Sequence, residues 1–482
     1  MNVKLIISIL GIIVFFIGVA MLLAIPFSIY YSDGSLFSLL GSSIFCIVVG
    51  LLTWFLLKTP AIEVNTREAF AIVTFAWFAM SVFGSIPFIV SGKIPSFTDA
   101  FFETVSGFTT TGASILTNIE TLPKGLLFWR SMTQWLGGMG IILLSLAILP
   151  ILGVGGMQLF KAESPGPTVD KIKPRIGETA KVLWQVYVLL TFVQTLLLIL
   201  GGMNLFDALA HSFTTMATGG FSTKNLSIAH YNSAYIDIVI TVFMFIAGAN
   251  FALHYRALKG DIREYFKNNE FVFYLSIVLI SIFISTLLLT ISHNYNSFST
   301  AIRYAAFQIV SIITTTGYST ADYEIWPYAI QFILLILMFI GGCAGSTGGG
   351  IKNMRILILL KNGNAELRKL IHPKAIVPVR YNDKTVPQDI INNILAFFVL
   401  FVTTFVVATI IMTTLGMDII SAMGAVIACL SNIGPGLGSV GPVDNYSHIH
   451  LAGKWILSFC MIIGRLELFT ALVIFTKVYW KI

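Results

Sequence analysis

Long apolar runs, each about the length needed to cross a hydrocarbon core of about 30 Å, recur from one end of the chain to the other. They fall near 3–31, 36–57, 70–90, 126–152, 180–203, 234–256, 271–292, 326–358, 391–415 and 452–478. The pattern predicts ten membrane spans, and predicts helices, because an isolated strand leaves its backbone groups unsatisfied in lipid. The first run is too long for a removed signal peptide and lacks the small-residue cleavage site. Four shorter amphipathic stretches sit between long runs, and each leads into a loop of hydroxyl and glycine residues. The loops read Ser106-Gly107-Phe108-Thr109-Thr110-Thr111-Gly112, Thr214-Thr215-Met216-Ala217-Thr218-Gly219-Gly220, Ile313-Thr314-Thr315-Thr316-Gly317-Tyr318 and Leu430-Ser431-Asn432-Ile433-Gly434-Pro435. They align on Gly112, Gly219, Gly317 and Gly434, which are 107, 98 and 117 residues apart.

One such loop is an ordinary loop. Four at near-regular spacing describe re-entrant loops that meet on one axis. A cation that sheds its water needs oxygen ligands, and backbone carbonyls supply them if successive peptides turn toward the axis. Glycine reaches the backbone angles this requires without a Cβ penalty. The repeat divides the chain into two leading spans (1–65) and four span–pore-helix–span units, at 66–175, 176–267, 268–386 and 387–482. Asp99, Asp207 and Asp418, with Ser299 and Thr300 in the third unit, stand where the pore helices begin. Capping of the positive helix end explains them better than ion binding does. The opposite helix ends then aim partial negative charge at the loops.

Composition agrees with a membrane protein: 56% of residues are hydrophobic, 11% are charged, and the mean hydropathy is +0.88. A soluble domain of this size carries about a quarter charged residues. With the N-terminus inside, 22 of the 29 Lys and Arg residues fall on the cytoplasmic side, as the positive-inside rule expects. The net charge of +7 therefore reports topology and contact with anionic headgroups of the lipid bilayer. It gives no support to nucleic-acid binding, since no basic patch is interleaved with base-stacking aromatics. Cys46, Cys343, Cys429 and Cys460 show no ligand spacing and read as small buried residues. The scattered histidines give no metal site.

Two features break the apolar pattern. The second span of the third unit holds six glycines between 341 and 350. Irregular backbone at membrane depth is tolerated only where it is buried in protein or lines a water-filled cavity. The segment is not a phosphate loop, because Ile351 separates Gly350 from Lys352. Arg465 lies inside the last apolar run, where a charge is costly and faces a polar interior or a partner. Two roles fit it: a positive constriction opposing cations, or a tie to carbonyls of the broken span. Glu467, two positions on, does not share its helical face. Arg130, near the external end of its span, is expected to snorkel to the interface.

Across essentially its whole length the chain resembles the Trk/Ktr/HKT superfamily of potassium transporters, most closely the bacterial TrkH/TrkG type. Besides the four loops, the matching stretches are Gln134-Trp135-Leu136-Gly137-Gly138-Met139-Gly140, Gly219-Gly220-Phe221-Ser222-Thr223, the glycine-rich 341–350 and Gly464-Arg465-Leu466-Glu467. The two leading spans favour the TrkH branch over the eight-span branch. The resemblance implies K+ ligands at the backbone of Thr110, Thr111, Ala217, Thr218, Thr315, Thr316, Asn432 and Ile433, beside filter glycines Gly112, Gly219, Gly317 and Gly434. In plant members a serine at the first filter glycine accompanies sodium transport, so Gly112 favours potassium. The fourth loop departs from its siblings in having no threonine run. The resemblance also implies that Gly345, Ser346, Thr347, Gly348, Gly349 and Gly350 form an intramembrane loop obstructing the closed pore, and Arg465, read preferentially as the positive constriction, is expected to complete that gate. It implies a homodimer with one pore per chain, in the inner (cytoplasmic) membrane of a bacterium with both termini inside. A cytosolic TrkA-like ring would bind the nucleotides, leaving this chain no cofactor beyond the transported K+. The basic segments 161–181 and 352–389 would dock that ring.

The fold expected is thus an all-α membrane protein: two N-terminal transmembrane helices and four pseudo-symmetric helix–pore-helix–helix units around one pore, as in a potassium channel. The function expected is gated, channel-like K+ uptake. The alternative within the class is an H+- or Na+-coupled K+ symporter, against which Glu467 is the only acid read as lying deep in a span. A membrane enzyme would call for clustered Asp, Glu or His at the interface, and the sequence has no such cluster, so no catalytic residue is assigned.

Overall fold

The computed structural model describes residues 1–57, 64–143 and 176–480. Among the described residues, six helices are long and apolar enough to cross a membrane, or eight if two bent pairs each count as one span.

The leading hairpin comprises α1 (Val3–Met21), its continuation α2 (Ile25–Tyr31) and α3 (Leu36–Leu56). Small residues let α1 and α3 approach closely: a Cβ added to Gly50 would come under 3.0 Å from the Gly11 carbonyl. At the turn between α2 and α3, Asp33 accepts the Gly125 N–H at 2.7 Å and fastens the hairpin to the next quarter of the molecule.

Each later quarter runs outer helix, pore helix, glycine loop, inner helix. The first has α4 (Thr66–Val90), α5 (Phe97–Phe108) and α6 (Lys124–Leu143). An Asn65/Glu68 capping box starts α4. The second has α7 (Ile176–Leu200), α8 (Leu205–Met216) and α9 (Ala234–Ala247), then α10 (Phe251–Leu258) and the short α11 (Arg263–Lys267). The third has α12 (Asn269–Ile291), α13 (Phe298–Ile313), α14 (Tyr328–Ile340) and α15 (Asn353–Ile371). The fourth has α16 (Gln388–Thr414), α17 (Ile419–Leu430), α18 (Leu451–Arg465), α19 (Phe469–Leu472) and α20 (Lys477–Trp480). The strands form one small antiparallel hairpin in which Arg380–Tyr381 pairs with Lys384–Thr385, packed beside α15. The stretch 144–175, which takes in the end of the predicted 126–152 span and most of the basic segment 161–181, lies outside the described residues.

The pore-helix starts differ from expectation. Only Asp418 is itself an N-cap. Asp99 and Asp207 sit in the first turn, and the caps are Ser96 and Asn204. Both acids have further partners: Lys454 reaches Asp99 at 2.6 Å, and the Thr223 hydroxyl donates to Asp207 at 2.6 Å.

Among the described residues three inner helices are broken, where the sequence announces only one. Besides the glycine-rich break between α14 and α15, the chain bends by 104° between α9 and α10, and by 113° between α18 and the helical turn that follows it. The first bend lies inside the predicted 234–256 run, and at the second the charges of Arg465 and Glu467 mark the place without announcing a change of direction, so hydropathy alone reveals neither bend. The four cysteines are free and buried.

Candidate functional site

The four pore helices end in the same way. A residue in the left-handed region follows the helix cap: Thr110 (φ 55°), Thr218 (52°), Thr315 (61°) and Asn432 (57°). The next residue donates back into the helix, as Thr111 N–H to Ser106 O, Gly219 to Thr214, Thr316 to Ser311 and Ile433 to Ala428, at 2.8–2.9 Å. A glycine with positive φ comes next: Gly112 (84°), Gly220 (75°), Gly317 (79°) and Gly434 (99°). The second loop therefore stands one residue later than the sequence alignment put it. Gly220 is the counterpart of Gly112, and Gly219 is the counterpart of Thr111. Ala217 is the helix cap, like Thr109, Thr314 and Ser431. Two adjacent glycines look alike in sequence, and only backbone angles separate them.

These loops close a circle. A Cβ on Gly112 would come under 3.0 Å from the Gly219 oxygen, and one on Gly220 equally close to the Thr316 oxygen. Gly317 faces the Ile433 oxygen, and Gly434 the Thr111 oxygen, in the same manner. Each glycine thus abuts the carbonyl of the residue just before the next loop's glycine, and the fourth loop returns to the first. The backbone oxygens of Thr111, Gly219, Thr316 and Ile433 thus each lie against a glycine of a neighbouring loop, just beyond the C-terminal ends of the four pore helices. Such a ring can replace the hydration shell of a cation.

Side chains brace the ring. The Thr109 and Thr111 hydroxyls bond at 2.7 Å, and those of Thr314 and Thr316 at 2.8 Å. In the fourth loop Asn432 takes over the bracing, its amide donating to the Thr111 hydroxyl (3.0 Å) and the Met461 carbonyl (2.9 Å). Tyr446 donates to the Gly434 carbonyl at 2.6 Å. Arg130 does not snorkel. It is buried, paired with Glu103 at 2.7 Å, and donates to the Ser222 carbonyl at 3.1 Å. Glu103 in turn accepts the Ile115 N–H just beyond the first loop, at 2.9 Å. Outside the ring, burial pushes the Glu324 carboxyl above its ordinary range. The Gly438 N–H opposes that shift, and Asp322 and Asp444 add to it.

The broken segment 341–352 presses against the C-terminal ends of the pore helices. Gly349 donates to the Thr315 hydroxyl at 2.8 Å, and the Thr347 hydroxyl to the Met216 carbonyl at 3.0 Å. A side chain on Gly349 would strike the Ser431 carbonyl. The bend between α9 and α10 has its physical reason here. Cys343 donates to the Gly248 carbonyl (2.8 Å) and Phe251 to the Gly345 carbonyl (3.0 Å), so two interrupted helices satisfy each other's released backbone groups. Arg465 donates to Thr347 O (2.8 Å), Gly137 O (2.8 Å) and Gly138 O (3.0 Å), joining this segment to α6. Glu467, in a left-handed conformation at the second bend, pairs with Arg355 and, at 3.4 Å, with Lys352. Other acids are more fully buried than Glu467, whose side chain is 12% exposed: Glu103 on a pore helix, and Asp237 and Glu270 in the first turns of their helices. Asp237 lies 3.4 Å from Arg303, and Glu270 accepts the Ala344 N–H at 2.6 Å. Among the described residues no group of three or more His, Cys, Asp or Glu side chains is arranged to hold a metal ion.

The sequence model of the TrkH family, described as "Cation transport protein", matches residues 35–481. The chain belongs to this family. Relatives include "Trk system potassium uptake protein TrkH" of Salmonella typhimurium, 42% identical over all of both chains. "Trk system potassium uptake protein TrkG" of Escherichia coli K12 is 32% identical over all of this chain and 99% of its own. The crystal structure of the potassium transporter TrkH from Vibrio parahaemolyticus superimposes with a TM-score of 0.90 at 38% identity, covering both chains completely. The all-helical membrane fold expected from the sequence agrees with that structure.

Proposed function

We propose that the chain is the membrane subunit of a Trk-type potassium uptake system, conducting K+ through a gated, channel-like pore. The closed ring formed by Thr111, Gly219, Thr316 and Ile433 carries this reading, and the names of its relatives agree with it. Thr110, Thr218, Thr315 and Asn432 form the next tier of backbone, and Gly112, Gly220, Gly317 and Gly434 allow the loops to interlock. The segment 345–350 and Arg465 act as the gate: in this conformation they lie against the pore-helix ends, held by the Thr347 carbonyl. Glu467 is engaged by two cations, which suits a structural tie better than a proton relay. The chain needs no cofactor and performs no catalysis. It works as a homodimer in a bacterial inner membrane with both termini cytoplasmic. The basic segment around α15 docks a cytosolic TrkA-like ring, as its exposed Arg368 and Lys374 favour.

The test is cation flux by the purified protein in liposomes, with imposed H+ and Na+ gradients. K+ flux that follows its own gradient, whatever the other two, supports the channel. Flux driven uphill by H+ or Na+ would establish symport instead.

A further inference from the structure

One of the four ring carbonyls is not like the others. Gln134, fully buried on α6, donates from Nε2 to the Gly219 carbonyl at 2.6 Å and accepts the Phe221 N–H on Oε1 at 3.0 Å. Both ends of the amide meet backbone, which fixes its orientation, since a flipped amide would set N–H against N–H and oxygen against oxygen. The same side chain explains the sequence of the loop. Thr111, Thr316 and Ile433 carry side chains at the corresponding loop positions and Gly219 carries none. A Cβ there would come under 3.0 Å from Gln134 Cδ. Gly219 has no positive φ that would require a glycine, so the space taken by Gln134 is the reason for it. One turn before Gln134, Arg130 holds the same loop through Ser222.

We infer that Gln134 is a specificity-determining positioning residue: its amide anchors the Gly219 carbonyl and thereby sets the ion preference of the ring. The inference rests on the reading of that ring as a K+ filter. A carbonyl that already accepts a short hydrogen bond has part of its ligand strength committed and its direction held. Closing around the smaller Na+ would require that oxygen to move inward, against the bond. Releasing it gives the ring one stronger and freer ligand, and the smaller ion gains most.

The experiment measures K+ and Na+ flux separately for the full-length protein in liposomes. Gln134→Met keeps the length of the side chain and removes both hydrogen bonds. The K+/Na+ ratio should fall by about five- to tenfold, the scale of one buried hydrogen bond, with K+ flux retained. A folded Gln134→Met with an unmoved ratio overturns the inference. Should that variant not fold, Gly219→Thr is compared with the double variant Gln134→Ala/Gly219→Thr, which restores the Thr-Thr-Gly of the first loop. The double variant should be more stable than Gly219→Thr alone and show the lowered ratio; equal instability, or the wild-type ratio, counts against Gln134. The wild-type arm separates the two levels of the reading. Wild-type protein that passes no K+ overturns the filter itself, whereas wild-type flux with an unmoved variant ratio overturns only the role of Gln134.

Discussion

Gly219 and Gly220 are neighbours and chemically identical, yet one lends its carbonyl to the ring and the other makes room for the next loop. That difference yields a prediction. Gly112→Ser and Gly220→Ser each place a side chain against a ring carbonyl, and each should lower the K+/Na+ permeability ratio. A tenfold fall needs only about 1.4 kcal/mol of differential binding. Reversal potentials measure it, and an unchanged ratio in folded Gly220→Ser would argue against this register. Asp33 supports a second prediction. Burial alone would raise its pKa, but hydrogen bonds from the Gly125 N–H, Ser28 and Ser35 outweigh it and hold the carboxyl below its ordinary value. A depressed folded pKa means stability present above the unfolded pKa of about 3.9 and lost as pH falls through the folded one. Because Asp33 is only partly buried and solvent screens it, Asp33→Asn should cost about 0.5–1 kcal/mol at pH 7, with the gap to wild type narrowing below about pH 4. Thermal melts in detergent across pH 3–7 test this; a gap independent of pH would remove the carboxylate from the account. The sequence made most ring residues legible, since hydroxyl-and-glycine loops recur. It did not resolve the second loop, whose register depends on Gln134, 85 residues away. Nor did it reveal the role of Arg130, whose partner Glu103 is 27 residues distant.

At the scale of elements, breaks in helices are paired. The α9–α10 bend receives the segment between α14 and α15, and the bend after α18 presents Glu467 to the start of α15. An apolar run reports that a helix enters the membrane, and it says nothing of backbone groups released to a neighbour, so two of the three breaks stayed hidden. Arg465 sits where these elements meet. Arg465→Ala removes a charge and the hydrogen bonds to Thr347, Gly137 and Gly138, and should raise basal K+ flux; each ~1.4 kcal/mol of lost barrier is about tenfold in rate. Arg465→Lys should raise it less, because the charge remains while the planar fork is lost. Flux measured beside thermal stability decides between the two roles, and an unstable, inactive alanine variant would leave only the structural tie. Glu467→Ala leaves Lys352 and Arg355 without the carboxylate they share, and removing one partner of a largely buried pair typically costs about 3–5 kcal/mol. A melting temperature within a degree or two of wild type would show that water reaches the site and screens the charges.

At the scale of the whole molecule, the exposed basic surface of α15 and the turn after it are separate from the ring. Arg368→Glu with Lys374→Glu should weaken co-purification with a cytosolic nucleotide-binding ring by at least about tenfold, the worth of roughly 1.4 kcal/mol at a charged contact. Basal K+ flux without that partner should be unchanged. Retained binding would move the docking surface elsewhere. The closed circle of loops has one more consequence. In a ring built from four identical chains, every substitution is made four times at once, and a neutral drift in one ligand is impossible. Here a single polypeptide supplies all four quadrants, so each can vary alone. Asn432 in place of a threonine, Ile433 in the fourth loop and one amide clamped on one carbonyl are the kinds of asymmetry that covalent joining permits, each altering a quarter of the ring and leaving the other three quarters as they were.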